Sequence, residues 1–432
     1  MDKIKIKGGR QLNGEIFISG AKNAALPLIC ASLLTEETVT LTNMPILSDI
    51  KSMNLLLEQL GTQIDSFDDF VDGHPTKTYS YRTPELTSIA APYDYVRKMR
   101  ASYYVLGPLL ARAGKVELSL PGGCAIGTRP MDIHLAAMEE MGAKIDIRNG
   151  YVYGEVDGRL KGAHIVFRTV SVGATCNVLM AATLAEGITV LENAAKEPEI
   201  GDLINLLNDM GAKISGIGTS ILTIEGVKKL HGARHKVIPD RIEAGSYAVA
   251  AAITGGKIEL INAQTYTLKT PMQILQKMGV EVMPTERGIL VDATGKKLIG
   301  EDIITEPFPG FPTDLQAQFM ALLTVAEGAG MVTETIFENR FMHVPELLRM
   351  GANINVHGHA SAIVRGVKKL SGAPVMATDL RASFALVLAG LAAGGETVVN
   401  RVYHLDRGYE KLEEKLKGVG ADIERVKEDG EE

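Results

Sequence analysis

Met138-Glu139-Glu140-Met141-Gly142-Ala143-Lys144-Ile145 reads as the last turn of a helix, a glycine stop and the first residues of a strand. Glycine adopts the positive φ that a helix C-terminus needs, and the chain then leaves in the extended direction. The same pattern recurs as Leu207-Asn208-Asp209-Met210-Gly211-Ala212-Lys213-Ile214 and as Leu57-Glu58-Gln59-Leu60-Gly61-Thr62-Gln63-Ile64. Gly279, Gly351 and Gly420 close three further copies. A period of about 70 to 80 residues is longer than a solenoid repeat, so each copy is a small α/β module.

A second helix shares this period, at residues 26–34, 103–112, 178–185, 247–254, 319–326 and 384–393. These helices are apolar nearly all round, which predicts burial on every side. Each is followed by a short turn and an alternating strand, as in Gly187-Ile188-Thr189-Val190-Leu191-Glu192. The expected fold is therefore α/β, with six repeated modules, three in each of two similar domains. The charged stretch His231-Gly232-Ala233-Arg234-His235-Lys236 is the natural hinge between them, and the tail from Lys427 to Glu432 reads as a solvated end.

The 432 residues are 46% hydrophobic and 22% charged, a globular composition. A net charge of −7 argues against broad nucleic-acid or anionic-membrane binding, so any anion site must be local. Three cysteines without a CxxC pair give neither a disulfide framework nor a zinc ribbon, and fit a reducing compartment. Met1-Asp2-Lys3-Ile4-Lys5-Ile6-Lys7 alternates like a strand and lacks the apolar stretch of a signal peptide. No run reaches the roughly 18 apolar residues of a membrane span. A cytoplasmic, soluble protein is expected. His357-Gly358-His359 reads as a hairpin tip, and His231 with His235 as part of the hinge, so no metal site is predicted.

Chemistry concentrates in Leu120-Pro121-Gly122-Gly123-Cys124-Ala125-Ile126-Gly127-Thr128-Arg129-Pro130. Three glycines allow close backbone approach to a ligand, and Arg129 both attracts anions and stabilises a thiolate on Cys124. Cys30 and Cys176 sit in alanine- and leucine-rich runs and read as helix core.

Polar residues gather at the starts of the six apolar helices. They are Ser19-Gly20-Ala21-Lys22-Asn23, Arg97-Lys98-Met99-Arg100-Ala101-Ser102, Ser171-Val172-Gly173-Ala174-Thr175, Asp240-Arg241-Ile242-Glu243, Phe311-Pro312-Thr313-Asp314 and Thr378-Asp379-Leu380-Arg381. Asn23, Ser102, Thr313 and Thr378 are candidates for capping. Lys22, Arg100, Arg241 and Arg381 oppose the helix macrodipole unless an anion or carboxylate joins them. With the free N–H groups they make anion sites. Asp240 and Asp379 lie within two residues of an arginine and read as ion-pair partners. Asp314 has no cation beside it in sequence and is the candidate base or hydroxyl acceptor. Arg340 and Arg407 lie in mixed polar and aromatic loops, open to a surface salt bridge or to a ligand.

Taken together, Gly20-Ala21-Lys22-Asn23-Ala24, the Cys124 loop, Ser171-Val172-Gly173-Ala174-Thr175, Pro239-Asp240-Arg241-Ile242-Glu243-Ala244-Gly245, Phe311-Pro312-Thr313-Asp314, Glu338-Asn339-Arg340-Phe341-Met342-His343, Thr378-Asp379-Leu380-Arg381-Ala382 and His404-Leu405-Asp406-Arg407-Gly408 resemble the UDP-N-acetylglucosamine 1-carboxyvinyltransferases, an enolpyruvyl transferase family. The likeness runs essentially end to end.

The resemblance implies a two-domain inside-out α/β barrel, with residues 22–238 in one domain, 1–21 plus 239–432 in the other, and the site in the cleft between them. It implies domain and loop closure around the substrates, and transfer of enolpyruvyl from phosphoenolpyruvate to the 3-hydroxyl of UDP-N-acetylglucosamine with release of phosphate, the step that opens peptidoglycan precursor synthesis. It further implies that Lys22, Arg129 and Arg407 hold the phosphate, that Arg340 and Arg381 hold the carboxylate, that Cys124 protonates or adds to the substrate, and that Asp314 meets the sugar hydroxyl. Asn23, Arg100, Pro130, Met131, Asp132, Ile133, Thr169, Val170, Ser171, Val172, Ile336 and Asp379 complete the implied substrate-binding set. Thr169 stands where many family members carry lysine. The implied partners are these two small molecules, without cofactor, metal or obligate protein partner.

Two rivals follow. The sister enzyme 3-phosphoshikimate 1-carboxyvinyltransferase shares the fold but lacks a cysteine acid, and a non-catalytic nucleotide-sugar-binding paralogue would keep the cleft without turnover. A repeat scaffold for protein partners would lack arginines at apolar helix starts, and the sequence opposes it.

Overall fold

The computed structural model describes residues 2–96, 99–120 and 131–427. Its strands form six four-stranded sheets of one common topology. In one of them, His164–Val166 runs parallel to Ile188–Glu192, which pairs antiparallel with Ile221–Glu225, itself antiparallel to Lys213–Ser215. The apolar helix Val172–Thr183 makes the crossover that a parallel pair requires, and the amphipathic helix Pro198–Asp209 leads to the outer hairpin. This βαβαββ module is the sixfold repeat.

Three modules are completed out of sequence order. Asn13–Phe17 runs parallel to Lys257–Ile261, and Asp2–Lys7 lies antiparallel between Glu396–Asn400 and Asp422–Lys427. In the other half, Arg234–Lys236 runs parallel to Val39–Met44. Among the described residues, one compact unit comprises 2–18 and 239–427, the other 19–120 and 131–238. Each unit holds three sheets and one apolar core cluster.

The stretch 231–236 is therefore no free hinge. Its last three residues are a sheet strand, because residue 235 alternates inward and finds a buried partner there. His235 Nε2 lies 2.8 Å from Asp202 Oδ1, and Asp209 approaches its other ring nitrogen at 3.8 Å. Burial opposes charge on the imidazole, but the hydrogen bond and charge of Asp202, with Asp209, raise its pKa overall. A raised folded-state value means that the proton is held more tightly in the folded chain. The resulting stability is present in full below about pH 6.5, the ordinary histidine value, and is lost as pH rises through the higher folded one. We expect the unfolding free energy to fall across that rise in wild type and to flatten in His235→Gln, as read by urea titration at successive pH values.

All six repeat glycines end helices with positive φ, between 88° and 106°. Each copy carries the paired bonds of a Schellman motif, such as Gly142 N to Glu139 O and Ala143 N to Met138 O, both 2.9 Å. A Cβ on Gly142 would meet nothing within 4 Å, so its cost is backbone strain alone. Gly142→Ala should lower the unfolding free energy by about 1–2 kcal/mol, and Gly142→Asn by less, in chemical denaturation.

The apolar helices are buried as expected. All thirteen residues of Arg241–Ile253 are buried, and so is every residue of Lys22–Ala31 but Asn23. Leu106–Ala113 differs at its end, where Ala113 is exposed and Arg112 donates to the carbonyls of Leu33, Thr35 and Thr83. Cys30 and Cys176 are core residues, 0% and 1% exposed. His357 and His359 lie at an exposed hairpin tip. Among the described residues no helix is long and apolar enough to cross a membrane.

Candidate active site

In the unit of residues 239–427, Asp314 sits on the short turn Thr313–Leu315 that enters the buried helix Gln316–Leu323. Arg340 Nη2 donates to its Oδ1 at 2.8 Å, and Arg381 Nη2 lies 3.2 Å from its Oδ2. The two guanidiniums are 5% and 4% exposed, whereas the carboxylate they share is 24% exposed. Arg340 Nε and Arg381 Nη1 are buried without a hydrogen-bond partner among the described residues. Donors in excess of acceptors, in planar forks beside an open carboxylate, suit a carboxylate-bearing ligand. Burial works against the charge of Arg381, but Asp314, Tyr409 and Asp240 hold its pKa above the usual arginine value.

The carboxylates also take roles that their sequence neighbours did not announce. Asp379 Oδ1 accepts from the backbone N–H groups of Arg381 and Ala382, at 2.8 and 3.0 Å. Asp240 Oδ1 does the same for Ile242 and Glu243. Both are N-caps, and Asp314 is ion-paired although no cation adjoins it in sequence, because its cations come from residues 26 and 67 positions away. The predicted caps do other things. Ser102 Oγ donates to Met99 O at 2.6 Å, Thr313 Oγ1 donates to Glu334 at 2.9 Å, and Thr378 Oγ1 has no hydrogen-bond partner among the described residues. Asn23 lies inside its helix, whose N-cap Ala21 has no side-chain acceptor to offer.

Arg407 ends the turn Val402–Arg407 and is half-buried. Burial, then the charge of Arg407, pushes the pKa of His404 down, and its Nδ1 is without a hydrogen-bond partner among the described residues. Ile336 follows the strand Ala329–Thr333 and is half-buried. The structure thus brings Asp314, Arg340 and Arg381 into direct contact, with Asp379 capping the Arg381 helix.

In the other unit, Lys22 opens the helix Lys22–Ala31 and its Nζ lies 2.8 Å from Asp49 Oδ2. A carboxylate does join this misplaced cation. Asp49 escaped the sequence reading because it sits in the first turn of the amphipathic helix Ser48–Gln59, where an acid ordinarily complements the macrodipole at the surface, yet it is 3% exposed.

Met131 is buried at the entry to Asp132–Glu140, Ile133 is half-buried, and Asp132 pairs with Arg168. Thr169 is exposed, while Val170, Ser171 and Val172 are half-buried at the entry to Val172–Thr183. Ser171 Oγ accepts from Ala174 N at 3.2 Å. Asn177 Nδ2 donates to His134 Nδ1 and to Tyr103 O, both at 3.0 Å, which ties the segments containing residues 100–105, 131–140 and 169–183 together. Sequence reading missed His134, whose place among apolar helix residues carries no signal of this tie. The backbone of Arg100 begins the turn Arg100–Val105. Cys124, Arg129 and Pro130 lie outside the described residues. Among the described residues no group of three or more metal-ligating side chains occurs.

Known proteins were compared with this chain. Residues 6–416 match the family EPSP synthase (3-phosphoshikimate 1-carboxyvinyltransferase). A UDP-N-acetylglucosamine 1-carboxyvinyltransferase of Paramagnetospirillum magneticum is 60% identical over 429 residues, 99% of either chain. That of Granulibacter bethesdensis is 61% identical over 426 residues, 99% of this chain and all of the other. Among solved structures, the enolpyruvyl transferase NikO from Streptomyces tendae superposes with a TM-score of 0.85 at 25% identity, covering 98% of this chain and 99% of that one. EPSP synthase from Acinetobacter baumannii, at 19% identity and a TM-score of 0.74 over 99% of this chain and 100% of that one, shares the fold. Identity of this order over whole chains, joined to a carboxylate clasped by two buried arginines, places the chain in the UDP-N-acetylglucosamine 1-carboxyvinyltransferase family of enolpyruvyl transferases.

Proposed function

We propose that this protein transfers the enolpyruvyl group of phosphoenolpyruvate to the 3-hydroxyl of UDP-N-acetylglucosamine and releases phosphate. Full-length identity of 56–61% to carboxyvinyltransferases of that acceptor carries the reading. The six modules, three in each domain, are read as those of an inside-out α/β barrel. The enzyme works in the cytoplasm on these two small molecules, and it needs no cofactor, metal or obligate protein partner.

In this mechanism the methylene carbon of phosphoenolpyruvate takes a proton while the sugar oxygen bonds to the adjacent carbon. Asp314 accepts or orients the hydroxyl proton. The tetrahedral ketal then loses a methyl proton, the carbon–phosphate oxygen bond breaks, and phosphate leaves. Arg340 and Arg381 hold the substrate carboxylate, in keeping with their buried, partly unpaired forks. Lys22, Arg129 and Arg407 hold the phosphate, and Cys124 delivers the proton to the methylene carbon or adds covalently to the same substrate. Arg100, Pro130, Met131, Asp132, Ile133, Thr169, Val170, Ser171, Val172 and Ile336 line the nucleotide-sugar site, with Asn23 and Asp379 beside the reacting groups. Cations preset where charge develops lower the barrier without reorganising in the reaction.

Phosphate release with UDP-N-acetylglucosamine against shikimate 3-phosphate as acceptor tests this reading. Turnover with the first and none with the second is expected. The reverse result would make the chain a 3-phosphoshikimate 1-carboxyvinyltransferase, and binding of the nucleotide sugar without release would make it a non-catalytic paralogue.

A further inference from the structure

Glu334 is a carboxylate that the mechanism does not use. It lies at the end of the strand Ala329–Thr333 and is 3% exposed. Four donors converge on it. Its Oε1 accepts from Thr305 Oγ1 at 2.9 Å, from Ile336 N at 2.9 Å and from Phe337 N at 3.2 Å. Its Oε2 accepts from Thr313 Oγ1 at 2.9 Å. A buried carboxylate with both oxygens so satisfied is fixed in place, and it fixes its donors in turn.

Those donors belong to the two loops that meet at the ion pair. Thr313 immediately precedes Asp314, and the segment through Ile336 and Phe337 leads to Arg340, whose guanidinium lies 5.0 Å above the Phe337 ring and donates to Asp314. Thr335 N also donates to Thr305 Oγ1 at 2.9 Å, closing the same knot. Simple bracing of a strand end would need only the Thr305 and backbone bonds. The bond to Thr313 is different, because it couples the Asp314 turn to the Ile336 loop through a side chain.

We propose that Glu334 is a positioning residue that sets Asp314 against Arg340 and the Ile336 loop through its bond to Thr313. The inference rests on the proposed reaction, in which Asp314 meets the sugar hydroxyl. A misplacement of about 1 Å can cost on the order of 10²-fold in rate.

The test is steady-state phosphate release by the full-length enzyme, with a melting temperature for each variant. Thr313→Val is expected to lower kcat by roughly tenfold and Glu334→Gln by up to about 10²-fold, with KM for phosphoenolpyruvate within about twofold of wild type. Thr313→Ser, which keeps the hydroxyl, should restore kcat. The double variant should be no slower than Glu334→Gln alone, since both changes break one bond. Losses that multiply in the double variant, or variants that melt earlier yet keep wild-type kcat, would overturn the positioning role while leaving the reaction intact. Should Glu334→Gln fail to fold, the Thr313 pair decides the matter by its Val loss and Ser rescue. A wild type that releases no phosphate with UDP-N-acetylglucosamine would overturn the reaction and this inference with it.

Discussion

Asp314→Asn is expected to lower kcat by roughly 10² to 10⁴-fold while leaving KM for phosphoenolpyruvate unchanged or lower. The amide keeps the shape of the side chain but loses the charge that accepts a hydroxyl proton and pairs with Arg340 and Arg381. Both arginine side chains are nearly inaccessible, so the variant keeps two buried cations side by side without the charge of the carboxylate they share. Breaking a buried pair costs about 3–5 kcal/mol, and the partial exposure of Asp314 sets the expectation at the lower end. A ligand carboxylate restores what was lost. Phosphoenolpyruvate should therefore raise the melting temperature of Asp314→Asn more than that of wild type. A variant with kcat within threefold of wild type would remove Asp314 from the chemistry, and equal thermal shifts would remove Arg340 and Arg381 from carboxylate binding.

Cys124→Ala should abolish turnover to a similar extent, at least about 10²-fold, with nucleotide-sugar binding retained. In the sequence Arg129 stands five residues from the thiol in a glycine-rich loop and favours the thiolate. The other cysteines supply the internal control. Cys30 and Cys176 are buried, and burial pushes both thiols well above their usual range, so neither is reactive in the folded chain. One equivalent of iodoacetamide per chain should react, loss of activity should track it, and bound substrate should protect. Labelling of wild type without loss of activity, or persistent phosphate release by Cys124→Ala, would deny the thiol its essential role.

The module was legible because its signal is local. A glycine that must take positive φ between an amphipathic helix and a strand announces itself six times, and the paired Schellman bonds at each copy are what that spelling encodes. Closure of the modules was less legible. Asp2–Lys7 and Asn13–Phe17 read as strands, but nothing in their composition names sheet partners more than 200 residues away. Arg234–Lys236 was hidden by its charge, since two of its three side chains face solvent and only His235 turns inward.

At the candidate site the sequence singled out Asp314, Arg340 and Arg381 but did not tell that they touch one another. Asp379 and Asp240 stand next to arginines along the chain, but a side chain at a helix N-cap turns toward the backbone N–H groups of its own first turn. Asp314 lacked a neighbouring cation and found two through tertiary contact. Glu334 and Asp49 were missed for one reason: an acidic residue in an otherwise ordinary strand end or helix start gives no sign that it is buried.

The product itself reports where the enolpyruvyl group goes. The protein should be incubated with phosphoenolpyruvate and UDP-N-acetylglucosamine, released phosphate counted, and the nucleotide sugar recovered for mass spectrometry and NMR. The account predicts one enolpyruvyl ether on the sugar 3-oxygen for each phosphate released. Phosphate released beside unmodified nucleotide sugar, or an enolpyruvyl group on another oxygen, would contradict it.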